Sequence, residues 1–225
     1  MRINKFIAMA TGISRRAADD TIAEGRVKVN GRQAQLGQTV SEIDKISFNN
    51  KRLDFASLTA PESQVTIMLN KPFGYVVSRQ GQGNKTIYDL LPPEYQLLKP
   101  VGRLDRNSSG LLIMTSDGQL AYELTHPSKQ KTKVYQVTLN KALTPADQRH
   151  ISDHGVMLED GLSRLLVVRL PSPDNKQWSV TMHEGRNRQI RRTFEVTGYK
   201  VIKLHRTQFG DYSLGSLGFG DVKKF

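Results

Sequence analysis

The 225-residue sequence contains no cysteine. That absence excludes disulfide frameworks, thiol nucleophiles, thioredoxin-type pairs, cysteine-held iron–sulfur clusters and every zinc finger that needs a thiolate. It fits a reducing compartment, and a cytoplasmic location is the expectation. Long apolar runs are missing too: nowhere do about 18 apolar residues follow one another, as a membrane span requires. The opening stretch, residues 1–12, is interrupted too soon by polar residues to be the apolar region of a signal peptide, so neither export by that route nor membrane insertion is expected. Acidic residues are scarce: 21 Asp and Glu stand against 33 Lys and Arg, a formal charge of +12. An excess of this size suggests a polyanionic partner, most simply nucleic acid, although basic charge serves solubility equally well. The apolar fraction of 37% suffices for a real core in one or two domains.

Residues 3–10 read as a short helix closed by Gly12, and Ser14 as the N-cap of a second helix through about Glu24, with Ala17, Ala18, Thr21 and Ile22 facing inward. Arg26–Arg32 alternates polar and apolar residues up to an Asn30-Gly31 turn, and Lys45–Phe48 alternates again. The first 54 residues carry a net +4 and the remainder +8. The polar stretch 54–63 reads as a linker, giving expected domains of 1–58 and 59–225. In the second domain, strands are expected at 65–69, 75–78, 111–115, 133–140, 164–170, 178–183 and 201–209, with Leu165, Leu166, Val167 and Val168 read as buried sheet. Helices are expected at 118–124, 145–150 and 187–196, and residues 210–220 read as turns around a last short strand. Strands outnumber helices without a steady βα alternation, so the expected class is α+β with a mostly antiparallel mixed sheet and flanking helices.

Three polar segments stand out. Asp105 lies in a Gly-bounded loop between Arg103 and Arg106 that feeds an apolar strand, where it either caps a turn or serves as a carboxylate held for catalysis. Tyr135 occupies one face of a strand opposite Val134 and Gln136; it is either core or a phenol that stacks on a base and moves a proton. Residues 184–192 gather Arg186, Arg188, Arg191 and Arg192 at a helix start, with Arg188 and Arg192 four apart on one face. Cations there oppose the helix dipole, which makes sense where phosphates or a carboxylate offset the cost; a solvated charged face is the alternative. The stretch Gly81–Thr86 lacks the glycine spacing of a P-loop, and His150 and His154 lack a third metal ligand.

With these segments in order, the chain resembles bacterial ribosomal RNA pseudouridine synthases of the branch with an N-terminal S4-type RNA-binding domain. Residues 2–48 look like the S4 module, Asn70–Ser78 like the opening catalytic strand and turn, and Gly102–Gly118 like the active-site signature. Lys133–Val137, Glu184–Arg192 and Val201–Thr207 complete the set. The resemblance implies Asp105 as the essential carboxylate, Tyr135 as the residue that stacks on uracil and transfers protons, Arg191 as the ion-pair partner of Asp105, and Leu204 as the apolar residue against the base. It implies substrate contacts from Arg103, Arg106, Arg188 and Arg192, the first two also being possible bridges to an acid. Arg15, Arg16, Arg26, Lys28 and Arg32 are the implied backbone-gripping residues of the S4-like module. The expected reaction isomerises one uridine of ribosomal RNA: Asp105 attacks the ribose or the uracil ring, the N1–C1′ bond breaks, and C5 joins C1′. It is redox-neutral and calls for no cofactor and no metal. The expected partner is ribosomal RNA or a ribosome-assembly intermediate, acted on by a monomer. Thr125-His-Pro and residues 184–192 look more like the enzymes of large-subunit, 23S, RNA than of 16S RNA. Ser108 stands where the family often has Thr, and Thr193 where a larger apolar residue is usual, which is expected to loosen packing behind Arg191. The rival from another class is a non-catalytic ribosome-binding or assembly factor that retains the fold.

Overall fold

A computed structural model describes residues 1–55 and 64–225 of the chain. It divides into two compact units, Met1–Ser63 and Gln64–Phe225. The expected domain boundary at 58/59 lies outside the described residues.

The first unit opens with α1 (Ile3–Thr11) and α2 (Arg15–Ala23). Ile3, Phe6 and Ile7 recur at helical spacing on one face of α1 and are fully buried. Gly12 ends α1 in the left-handed region, its N–H returning to the Ala8 carbonyl. The Ser14 hydroxyl accepts from the Ala17 N–H and starts α2. Strands β1 (Val27–Val29), β2 (Arg32–Gln33), β3 (Ile46–Phe48) and β4 (Lys51–Leu53) form a small sheet in the order β2-β1-β3-β4. Asn30 and Gly31 both take positive φ in the β1–β2 turn, as a two-residue hairpin demands. Ala18, Ile22, Val27, Val29 and Ile46 join α1 in one core.

The second unit is an α+β domain. Its main elements are β5 (Thr66–Lys71), β6 (Lys99–Pro100), β7 (Ser109–Thr115), α3 (Gly118–Thr125), β8 (Lys133–Leu139) and α4 (Pro145–Arg149). There follow β9 (Val156–Leu158), β10 (Gly161–Ser163), β11 (Leu166–Arg169), β12 (Gln177–Met182), α5 (Gln189–Val196), β13 (Val201–Phe209), β14 (Tyr212–Ser213) and β15 (Val222–Lys224). The main sheet runs β11-β12-β8-β13-β7-β5-β15, with β14 on β13 and β6 on β7, while β9 and β10 form a separate hairpin. Every pairing within it is antiparallel except β13 with β7. All of β7 is buried because both its faces are covered: Leu112 and Met114 enter one core, Leu111 and Ile113 another with Leu124 of α3. Phe194 and Ile190 of α5 join the core that holds Tyr135 and Leu204.

Three expectations for this domain need correction. Residues 75–78 are not a strand; Val76 makes one isolated bridge to Thr86 within the same loop, and no neighbouring strand lies beside them. Leu166 and Val168 are not buried sheet but 58% and 50% exposed, since β11 is an edge strand packed only on the Leu165 and Val167 side. The helix expected from 187 begins at Gln189, because Arg188 holds a left-handed φ of 46°.

Candidate active site

The loop that carries Asp105 precedes β7, and its shape is set from beneath by a lysine. Lys71, the last residue of β5, is fully buried. Its Nζ donates to the carbonyls of Ser108 (2.7 Å), Pro72 (3.0 Å) and Asp105 (3.2 Å). Burial lowers its pKa from 10.5 to about 8, with the Asp105 charge opposing the shift. The Ser108 N–H closes the turn onto the Asp105 carbonyl at 3.0 Å. Lys71 was not singled out from the sequence, yet it shares the two-residue repeat of Ile67 and Leu69, which marks the core side of β5.

The sheet then brings three distant segments to that loop. Gly110 of β7 lies against Arg206 of β13 in the parallel pair, and Arg206 pairs with Tyr135 of β8 on the other side. A cleft of about 850 Å³ opens here, lined by Asp105, Tyr135, Leu204 and Arg188 among others. Tyr135 and Leu204 are buried side chains whose surfaces reach the cleft. Among the described residues the Tyr135 hydroxyl has no hydrogen-bond partner, which leaves it available to a ligand.

The carboxylate of Asp105 forms its ion pair with Arg188, Nη1 to Oδ2 3.6 Å, not with Arg191. Arg191 instead donates to two backbone carbonyls, Val201 (2.9 Å) and Asn107 (2.5 Å), and so ties the loop after Asp105 to β13. Burial and the neighbouring Arg188 lower the Arg191 pKa, while Asp105 acts against them. The expected common face of Arg188 and Arg192 is also corrected. With Arg188 outside the helix, its guanidinium turns to Asp105, whereas Arg192 grips Asp160 through two bonds of 3.1 and 2.7 Å.

Among the other expected substrate contacts, Arg103 lines the cleft and is exposed, whereas Arg106 does not line it and donates to the Gly74 carbonyl at 3.3 Å. Thr193 loosens nothing: it is fully buried, bonded to the Ser163 hydroxyl (2.8 Å) and to the Gln189 carbonyl (2.9 Å). The Ser108 hydroxyl is buried beside the cleft without a partner among the described residues. Two cleft residues escaped notice in the sequence. Arg206 is buried, donates to the Leu111 carbonyl at 2.8 Å and lies 4.7 Å from the Phe209 ring centre. Lys133 shares the core-facing repeat of Tyr135, and burial, aided by the Arg206 charge, lowers its pKa.

In the first unit, Arg16, Lys28 and Arg32 are exposed and have no ion pair or hydrogen bond from their side chains among the described residues. Arg15 donates to Asn4 at 3.1 Å, while Arg26 pairs with Glu24 at 3.0 Å, bonds Asn49 at 2.8 Å and covers the Phe48 ring.

The profile of the RNA pseudouridylate synthase family matches residues 65–196, and that of the S4 domain matches residues 1–46. The chain is 37% identical over 229 residues to the ribosomal large subunit pseudouridine synthase B of Bacillus subtilis (strain 168), spanning 99% of this chain and 91% of that protein. An uncharacterized RNA pseudouridine synthase of Aquifex aeolicus (strain VF5) is 36% identical over 98% of this chain and 88% of its own length. A ribosomal large subunit pseudouridine synthase B of Xylella fastidiosa (strain Temecula1) is 37% identical over 95% of this chain, which spans only 46% of that protein. Among solved structures, a crystal structure of pseudouridylate synthase superposes with a TM-score of 0.69 at 31% identity, over 100% of this chain and 96% of the other.

Proposed function

Because the chain belongs to the RNA pseudouridylate synthase family, we propose that it converts a uridine of ribosomal RNA, within the large-subunit 23S molecule, to pseudouridine, with Asp105 as nucleophile. The observation that carries this reading is the Asp105 carboxylate, 3.6 Å from Arg188, in a cleft that it shares with the phenol of Tyr135, unbonded among the described residues, and the apolar side chain of Leu204. A carboxylate that attacks carbon must be ionised, and a close guanidinium favours that form and orients it. The target base leaves its stack to reach such a cleft, with Tyr135 and Leu204 forming an aromatic and apolar surface for its ring. An Asp105 oxygen bonds to the ribose or to the uracil ring, the N1–C1′ bond breaks, the uracil turns, and a C5–C1′ bond forms while the bond to Asp105 breaks and returns the free carboxylate; C5 then gives up a proton and N1 gains one. In this reading the Tyr135 hydroxyl moves the C5 proton.

The assignment to 23S RNA draws support from relatives named as large-subunit enzymes. The protein works in this reading as a cytoplasmic monomer. Arg16, Lys28 and Arg32 hold RNA backbone from the first unit, and Arg103 does so at the cleft. The test incubates the purified protein with unmodified 23S and 16S RNA and maps pseudouridine by carbodiimide-dependent primer extension, beside an Asp105→Asn protein. The expected result is a new stop in 23S RNA that the variant does not give. Equal stops from both proteins, or none from either when RNA is bound, would overturn the catalytic reading in favour of a binding factor; a stop confined to 16S RNA would overturn the substrate assignment.

A further inference from the structure

The four arginines before and within α5 look interchangeable as phosphate contacts, but the structure divides them. Arg188 and Arg191 serve the Asp105 loop, whereas Arg186 and Arg192 converge on one carboxylate, that of Asp160, in the turn of the β9–β10 hairpin. Arg186 Nη1 reaches Asp160 Oδ1 at 2.9 Å, and its guanidinium also caps the carbonyls of Asp160, Gly161 and Leu162, each at 2.9 Å. Arg192 takes the same carboxylate through both terminal nitrogens. The pairing with Arg192 in particular holds the Asp160 carboxyl below its ordinary pKa, so it is ionised at neutral pH.

The third donor of Arg192 links this cluster to the reacting groups. Its Nε donates to the Asn187 carbonyl at 2.9 Å, on the peptide that enters Arg188. Arg188 has a left-handed φ of 46°, which a side chain other than glycine keeps only when its surroundings hold it there. From that conformation its guanidinium meets Asp105. Gly161, next to Asp160, has a φ of 111°, a conformation that favours glycine, and its carbonyl accepts from Arg186 Nη1.

We propose that Asp160 is a positioning residue for the reaction: through Arg192 and the Asn187 carbonyl it fixes the strained backbone of Arg188, and with it the cation that faces Asp105. This inference rests on the functional reading above. It also withdraws Arg186 and Arg192 from phosphate binding, since both guanidiniums are turned onto Asp160 and neighbouring backbone carbonyls. Without Asp160, Arg192 loses its counter-ion while Arg186 keeps only Glu184, at 3.2 Å, and repulsion from the neighbouring arginines together with the freed peptide lets Arg188 relax away from Asp105. The hairpin stays attached to α5 by other bonds, Ser163 to Thr193 (2.8 Å) and Gln189 to Ser163 (3.0 Å), so loss of Asp160 spares the fold.

The experiment compares wild type with Asp160→Ala, Asp160→Glu and Arg192→Gln in single-turnover pseudouridine formation, RNA affinity as a function of salt, and thermal unfolding. Asp160→Ala is expected to turn over roughly 10- to 100-fold more slowly, the scale of a misplaced reacting group, while binding RNA at least as tightly because a negative charge is gone. Asp160→Glu is expected to recover part of the rate. Arg192→Gln is expected to slow turnover and keep the wild-type salt slope. A folded Asp160→Ala protein with the wild-type rate overturns the proposal, as does an Arg192→Gln protein whose slope is shallower by about 0.7, the mark of one lost phosphate contact. If Asp160→Ala does not fold, Arg192→Gln is judged by the same rate criterion. A wild-type protein that makes no pseudouridine counts against the functional reading, and the salt slope still tests the withdrawal of Arg192 from phosphate.

Discussion

Lys71 and Arg188 both bear on Asp105, and their environments separate a structural role from a chemical one. The ion pair of Arg188 with Asp105 is 49% and 37% exposed on its two sides, and pairs this open to solvent contribute about 1 kcal/mol or less to stability. The value of that pair is therefore orientation. Lys71 is enclosed, and its three hydrogen bonds carry the loop. Lys71→Met keeps the volume but removes every donor, so it is expected to destabilise the fold by about 3 kcal/mol or more in denaturant unfolding. The pH dependence has a definite sign. The folded chain releases the Lys71 proton near 8 and the unfolded chain near 10.5, so across that window the unfolded state binds more protons and stability rises with pH. The advantage of wild type over Lys71→Met should thus be larger at about pH 9.5 than at about pH 7.5; an equal or smaller advantage would show that the amine is not desolvated.

The element that assembles the site is the parallel seam of β7 with β13. It sets the strand following Asp105 beside the strand bearing Leu204, and β8 with Tyr135 completes the group. Backbone approach at this seam is close enough that a Cβ on Gly110 would lie 2.2 Å from the Arg206 carbonyl oxygen, and its φ of 105° also suits glycine alone. Gly110→Ala must therefore push the strands apart or distort β7. It is expected to cost about 3 kcal/mol or more, on the scale of a severe core clash, and to lower activity with stability. A wild-type unfolding midpoint would contradict this account of the seam. The β9–β10 hairpin acts differently: it lies outside the main sheet, packs Val156 and Leu158 into the core beneath the site, and offers Asp160 to two arginines at the start of α5.

At the scale of the whole molecule, the +12 charge is not uniformly available to RNA. Asp160 engages two arginines beside the cleft and Glu24 engages Arg26, whereas Arg16, Lys28 and Arg32 are exposed and without a side-chain partner among the described residues. Replacing these three by Gln is expected to weaken RNA binding steeply at low salt and to reduce the slope of log affinity against log salt by about 2, at roughly 0.7 for each phosphate contact with single-stranded RNA. An unchanged slope would show that the first unit holds RNA by other residues.

Much of the fold was legible from local pattern. The helical spacing of Ile3, Phe6 and Ile7, the Asn30-Gly31 turn and the alternation through Tyr135 each depend on residues a few positions apart, and helix and strand geometry convert such spacing directly into a buried face. The motifs around Asp105, Tyr135, residues 184–192 and Leu204 likewise marked the segments that meet at the cleft. Spacing could not assign partners. It set Arg188 and Arg192 on one helical face, and the family resemblance paired Asp105 with Arg191, because neither could show that Arg188 leaves the helix or that Asp160, 32 residues before Arg192, awaits that arginine. Nor could it show that the donors of Lys71 close on a loop 37 residues away. The sequence by itself determined which residues are apolar, charged or free to turn; the tertiary structure decided which charge meets which, since that depends on strands placed side by side over distances that no local repeat records.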